Sequence, residues 1–184
     1  EGIYSPELTN TLSGELDRFF NAIQDLSNYP EELTVRTAVR ESAQNLIASV
    51  RHIDESLKAQ RTDLNDRIEG EVLEADAMID QIAKLNVQIK ASQTASASEV
   101  PDLLDQQDKI LRELTQKLDI NYYRGDQGMV TVRGPQETLL VDRGHAAHLV
   151  VGKDRNGSGM FDILVEDGAS VQPTNVTNAN KNGR

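Results

Sequence analysis

Apolar positions recur at helical spacing from residue 6 to residue 118, and at every second residue after that. Over residues 6–28, Leu8, Leu12, Leu16, Phe19, Phe20, Ile23 and Leu26 fall three or four apart, except the adjacent phenylalanines, and make one stripe of an amphipathic helix. Ser5 can cap this helix, Pro6 suits its first turn, and Glu7 lies near the positive end of the macrodipole. SNYP at 27–30 ends it, because Pro30 disfavours helical geometry at Tyr29.

From Glu31 to Lys90 there is no proline and one glycine, Gly70. The stripe runs through Val35, Val39, Ala43, Leu46, Val50, Ile53, Leu57, Arg61, Leu64, Ile68, Val72, Ala75, Ile79, Ile82, Leu85 and Ile89. Its mean spacing of about 3.6 residues is that of a straight helix rather than of a left-handed supercoil. About 60 helical residues would span ~90 Å, so the pattern predicts a rod. Arg61 interrupts the stripe, and Gly70 weakens the helix by up to ~1 kcal/mol relative to alanine. ASQTASASEV, 91–100, reads as a loop. A third helix follows from Pro101 to Leu118, burying Leu103, Leu104, Gln107, Ile110, Leu111, Leu114 and Leu118 and folding back antiparallel to the long one.

Past Leu118 the period falls to two. Ile120, Tyr122 and Arg124 alternate before the turn GDQG (125–128), and Val130 and Val132 alternate after it, a hairpin signature. TLLV (138–141), HLVV (148–151) and FDILV (161–165) read as strands, with turns at 143–144, 153–159 and 167–168. The tail QPTNVTNANKNGR is polar and reads as a mobile connection. The expected class is α+β: an elongated antiparallel helical bundle with one very long helix, then a small antiparallel β unit. The expected domains are a helical rod at 1–118, a β domain at 119–172 and a polar tail at 173–184.

Composition narrows the function. The chain carries 19 basic and 30 acidic residues, a net charge of −11, which opposes binding to phosphate backbones. The absence of cysteine removes disulfides, thiol catalysis and cysteine zinc sites, and suits a cytosolic protein or one exported unfolded. No apolar run approaches the ~20 residues of a membrane helix. EGIYSPELTN has neither the basic nor the apolar region of a signal peptide and no initiator methionine, so an internal piece of a longer chain is expected. Aromatic residues make up only 4% and tryptophan is absent, which favours a thin helical body over a thick core.

Three constellations could carry chemistry. Asp102, Asp105 and Asp108 stand three apart at the start of the third helix, but no further ligand stands at helical spacing. Dipole compensation near the N-terminus and an i,i+4 pair of Asp108 with Arg112 account for them. His145 and His148 form an H-x-x-H pair, which a strand places on opposite faces, and no zincin glutamate accompanies them. Asp154, Asn156, Ser158, Gly159 and Asp162 match part of a calcium loop, but Val165 stands where the bidentate glutamate is required and Glu166 comes one place late. NGS (156–158) and NVT (175–177) match glycosylation acceptors only for a eukaryotic secretory route. With no G-x-S-x-G and no phosphate loop, no catalytic, cofactor-binding or metal residue is assigned, and no cofactor is expected.

Three blocks together resemble a known family. LDRFFNAIQDLSNYPEELTVRTAVRESAQNLIASV (16–50) is similar to a pattern of leucine, paired phenylalanine, Leu-Ser before a proline turn, then an arginine opening a long helix. MIDQIAKLNVQI (78–89) resembles its I-A-x-L-N-x-x-I segment. PDLLDQQDKILRELTQKLDINYY followed by DQGMVTV resembles its D-L-L-D helix and D-x-G-x-V-x-V strand. The family is that of the bacterial flagellar hook-associated protein FlgK, which joins hook to filament, and the likeness covers roughly residues 8–142. Gln107 stands where the family usually has arginine, Thr115 where it has serine and Asp76 where asparagine is common.

The resemblance implies a non-catalytic structural subunit of the flagellum, exported through the flagellar channel to an extracellular position. Its partners would be the hook protein, the neighbouring junction protein and copies of itself, with an export chaperone held by segments outside this chain. Neither nucleic acid nor membrane is expected as a partner, and the chain by itself is expected to be monomeric. The paired phenylalanines and the LSNYP turn favour this over a flagellin-like filament subunit. A free-standing secreted coiled-coil adaptor is the alternative from another class.

The missing ligand at Val165 predicts that calorimetry with millimolar calcium gives no saturable heat. A one-site isotherm lost on Asp154→Ala would overturn that expectation.

Overall fold

A computed structural model describes residues 6–95, 97–153, 157, 159–167 and 174–176. Three helices come first: α1 (Pro6–Asn28), α2 (Leu33–Ala95, 63 residues) and α3 (Val100–Lys117). Seven short strands follow: β1 (Asn121–Arg124), β2 (Val130–Arg133), β3 (Leu139–Asp142), β4 (His145–Ala146), β5 (His148–Gly152), β6 (Asp162–Glu166) and β7 (Thr174–Asn175). The expected class holds: three helices, one of them very long, and small antiparallel sheets.

The corner between α1 and α2 is tied by backbone bonds from Tyr29 N–H to Asp25 O (2.8 Å) and from Glu32 N–H to Tyr29 O (3.2 Å). Arg36, the arginine that opens the long helix, donates from Nε to Pro30 O at 2.8 Å. The far end of α2 overruns the expected loop by five residues, to Ala95. ASQTA holds no helix breaker, Thr94 Oγ1 donates back to Ala91 O at 2.8 Å, and Gln93 Nε2 donates to Gln127 O at 2.7 Å, so the last turn is anchored.

The chain forms two compact units, Glu1–Thr62 and Asp63–Arg184. The division falls inside α2. What defines the second unit is the cover that α3 and the strands give to the later half of α2. In the first unit no described residue is buried, and Phe20, Ile47, Val50 and Leu57 are each at least half exposed. In the second unit the same stripe is closed: Val72, Ala75, Ile79, Ile82, Leu85 and Ile89 are all buried.

In the second unit α3 returns antiparallel to α2. Lys117 at its end meets Glu71 and Glu74, while Gln107 in its middle meets Asn86. Leu111 and Leu114 of α3 are fully buried against this stretch. One sheet has the order β1-β2-β3-β4 and the other β5-β6-β7, all pairs antiparallel. Val130, Val132, Leu140, Val141, Leu149 and Val165 close a single core with the helices. The polar tail contains structure the sequence did not announce: β7 pairs with β6, and Val176 is 7% exposed and donates its N–H to Ile163 O at 2.9 Å. Residues 177–184 of that tail lie outside the described residues.

Two hairpin turns share one path. Gln127 (φ 66°) and Gly128 (φ 73°) stand in the left-handed region between β1 and β2. Gln136 (φ 57°) and Glu137 (φ 59°) do the same between β2 and β3. Gly125 N–H donates to Met129 O and Gly134 N–H to Thr138 O, so each turn is closed by an equivalent bond. Two consecutive left-handed residues define the hairpin turn that normally asks for glycine or asparagine. At Glu137 a side chain costs roughly 1–2 kcal/mol that Gly128 avoids.

Packing and propensity predict opposite shifts on thermal unfolding. Leu111→Ala should cost ~2–5 kcal/mol and lower Tm clearly. Gly70→Ala should add up to ~1 kcal/mol of stability and raise Tm, because a methyl there meets no atom within 4 Å. Asp105→Asn, on an exposed turn, should change stability by less than ~1 kcal/mol.

Candidate functional site

The groups that join helix to sheet are polar side chains on one side of α2: Asn65, Asp76, Asn86 and Gln93. Their spacings of 11, 10 and 7 residues are close to three, three and two helical turns. Each bonds backbone of the strands or of the turns beside them. Asn65 accepts from Phe161 N–H at 2.9 Å and donates to Gly159 O at 2.9 Å, as a neighbouring strand would. Asp76 Oδ1 accepts from Leu149 N–H at 2.8 Å, with His148 Nδ1 at 3.3 Å.

Asn86 is the centre of the set. It is 0% exposed and makes four hydrogen bonds. Its Nδ2 donates to Val130 O at 2.7 Å and to Arg143 O at 2.6 Å. Its Oδ1 accepts from Val130 N–H at 2.8 Å and from Gln107 Nε2 at 2.8 Å. Val132 pairs with Val141, so Val130 and Arg143 are the next pair in that register. The Asn86 amide fills this rung of the ladder, joining β2, the β3–β4 turn, α2 and α3 at one point. Gly144 follows from the same approach: a Cβ there would stand 2.7 Å from Val87 Cγ2. Gln107, assigned to the buried face of α3, is 0% exposed, and its Oε1 has no hydrogen-bond partner.

A second tie closes the end of α3. Lys117 Nζ lies 2.5 Å from Glu71 and 2.7 Å from Glu74. The hydrogen bond and charge of Lys117 hold the Glu71 carboxyl below its ordinary value, and hydrogen bonds to Glu71 and Glu74 hold Lys117 above its own. Beside this tie lies an apolar cavity of about 280 Å³, lined by Leu64, Ile68, Val72, Leu118 and Ile163 among others.

Among the described residues, the aspartate and histidine constellations considered from sequence do not form a ligand set. Asp102 and Asp105 are exposed, and the N-terminus of α3 has no side-chain cap. Asp108 pairs with Arg124 of β1, which replaces the expected pairing with Arg112. Arg124 reaches Asp108 from sixteen residues away on β1, a neighbour that spacing along one helix does not show. His145 lies on β4 of one sheet and His148 on β5 of the other. Asp154, Asn156 and Ser158 lie outside the described residues, while Asp162 and Val165 are buried in β6. Among the described residues no group of three histidine, aspartate or glutamate side chains could hold a metal, and no helix is long and apolar enough to cross a membrane.

The family profile described as "Flagellar hook-associated protein FlgK helical domain" matches residues 1–184. The chain belongs to the FlgK helical-domain family. It is 31% identical over 142 residues to "Flagellar hook-associated protein 1" of Salmonella typhimurium, covering 77% of this chain and 26% of that protein. It is 26% identical over 143 residues to the Bacillus subtilis protein of the same name, covering 77% and 28%. The chain thus spans about a quarter of the length of these relatives. A solved structure, the flagellar hook junction protein FlgK from Burkholderia pseudomallei, matches with a TM-score of 0.77 over 90% of this chain and 29% of that one, at 22% identity. That likeness carries the fold.

Within this member of the FlgK family, sequence spacing does not reveal the helix-to-sheet ties, although Asn86 lies inside the family-like segment MIDQIAKLNVQI. One signal was available: Asn86 is a polar residue flanked by Ile82, Ala83, Leu85 and Ile89 on a face that is otherwise apolar.

Asn86→Ala strands Val130 N–H, two carbonyls and the Gln107 amide together, and should destabilise by roughly 3 kcal/mol or more in chemical denaturation. Asn86→Asp keeps the acceptor but sets a carboxylate against two carbonyl oxygens, so it should not rescue stability. A near-neutral Asn86→Ala would contradict this role.

The Lys117 tie predicts a pH window. Glu71, depressed from 4.5, contributes above that pH and is lost as pH falls through its folded value; Lys117, raised from 10.5, contributes below that pH and is lost as pH rises through its own. The stability gap between the unaltered chain and Lys117→Met should therefore be widest between these limits and shrink on either side.

Proposed function

We propose that this chain is a structural, non-catalytic segment of the junction between flagellar hook and filament. The observation that carries the reading is the FlgK helical-domain match over all 184 residues. The internal chemistry supports it. The most elaborate polar arrangement among the described residues, around Asn86, consists of backbone bonds that set a sheet on a helix. Such a site resists deformation and transforms nothing.

On this reading the full-length protein stands outside the cell, reached through the flagellar export channel. It contacts hook protein, a second junction protein and copies of itself, and an export chaperone binds segments outside this chain. The strongly acidic balance, −11, leaves nucleic acid and anionic membranes as unsuitable partners.

Electron microscopy and swimming assays test the proposal in a strain whose only hook-associated protein 1 carries this segment. Deleting that protein should leave bare hooks and stop swimming, while Asp105→Asn and His145→Ala in it should leave filaments attached and swimming intact. Filaments still attached after the deletion would refute the junction role. Loss of function in either variant, with an unchanged circular-dichroism melt, would assign those side chains a role that this proposal denies.

A further inference from the structure

The polar ties of α2 close backbone groups that the sheets would otherwise leave open. Asn86 fills the rung between β2 and the β3–β4 turn, Asp76 takes the Leu149 N–H of β5, and Asn65 takes the Phe161 N–H just before β6. The edge strands β4 and β7 are only two residues long. β1 is the exception. It is an outer strand of its sheet, and all four of its residues are exposed.

The register fixes which groups of β1 point outward. Gly125 N–H donates to Met129 O, so that pair is hydrogen-bonded. Bonded pairs alternate in an antiparallel ladder, so Tyr123–Thr131 and Asn121–Arg133 are bonded in turn, while Tyr122–Val132 and Arg124–Val130 are not. Val130 agrees, because its N–H and C=O are turned to Asn86 on the other side. The N–H and C=O of Tyr122 and Arg124 therefore point away from β2, and among the described residues nothing bonds them. The usual guards of a free edge are missing. No proline, lysine or bulge interrupts β1, and the charge of Arg124 is matched by Asp108. Tyr122 and Tyr123, 48% and 56% exposed, stand on opposite faces of the strand.

An edge of this kind is completed by another extended strand, which presents donors and acceptors at every second residue. We propose that β1 pairs antiparallel with β1 of a second copy, across a twofold axis at Tyr123. Tyr122 of each copy then exchanges both backbone bonds with Arg124 of the other, and the two Tyr123 side chains face each other as a non-bonded pair. This register uses every outward group of the strand and sets no like charges opposite. A slip by two residues one way brings Arg124 against Arg124; a slip the other way leaves Arg124 to pair beyond the strand, at Ile120. Arg124 beside the ring of Tyr122 is also a favourable contact. The twofold contact consumes both edges and stops at the dimer. The −11 charge on each copy opposes it, so pairing belongs to high concentration and is strengthened by salt. The proposal stands apart from the junction reading, since it rests on β1 alone.

Sedimentation velocity of the 184-residue chain tests it. Up to ~1 mM protein, a reversible monomer–dimer equilibrium should appear, shifted toward dimer by added salt, with no larger species. Tyr122→Pro removes an outward N–H but no ladder bond within the chain. Tyr123→Lys sets two ammonium groups opposite each other while its backbone stays paired with Thr131. Each should weaken dimerisation about tenfold or more with an unchanged melt. The chain has no cysteine, so Tyr123→Cys should oxidise to a disulfide-linked dimer, because the Cα atoms of a non-bonded antiparallel pair stand about 4.5 Å apart. Asn121→Cys, opposite Gly125 and far from its own counterpart, should not. A chain that stays monomeric throughout, dimerisation that neither Tyr122→Pro nor Tyr123→Lys weakens, assemblies that grow past the dimer, or equal cross-linking of the two cysteine variants would each overturn the proposal.

Discussion

One buried amide decides how the second unit is put together. A long helix and a pair of small sheets have no shared hydrogen-bond ladder, so packing alone would let them slide. Asn86 removes that freedom by taking the place of a strand in the rung between Val130 and Arg143, and by joining Gln107 on the returning helix. A buried amide with all four positions used adds direction to a contact that apolar packing leaves directionless. Asn65 and Asp76 repeat the device toward the other sheet, at Phe161 and Leu149.

Around this frame the two parts of α2 lead different lives. From Val72 onward its apolar stripe is closed by α3 and the sheets. In the first unit the same period continues, yet Val50 and Leu57 are half exposed. A uniform sequence pattern thus yields two environments, because burial depends on what lies opposite and not on the helix itself.

Much of the fold was legible. α1 runs over the residues its stripe and Pro30 define, and α3, β1, β2, β3, β5 and β6 fall within a few residues of the patterned runs, because each repeats with its own period. The two-residue β4 and the pair β7 are too short to have a period. The polar sequence of the tail predicts a mobile connection, yet Val176 is buried in the core. Helical spacing pairs Asp108 with Arg112, but its partner is Arg124, sixteen residues away on β1. Sequence spacing reports neighbours on one element and is silent about neighbours on two. The same limit hid the roles of Asn65, Asp76 and Asn86. Their residue types were visible, but the backbone groups they meet lie 44 to 96 residues away.

The central claim is that polar side chains of α2 fix the sheets to the helix as part of one cooperative unit. Native-state hydrogen exchange tests it most directly, at the amides of Val130, Leu149 and Phe161, whose acceptors are Asn86, Asp76 and Asn65. The account predicts that all three exchange only with global opening of the second unit, at the same free energy as the amides of Ile82 and Leu111. Exchange of these three through local fluctuations, while the helical core stays closed, would contradict it.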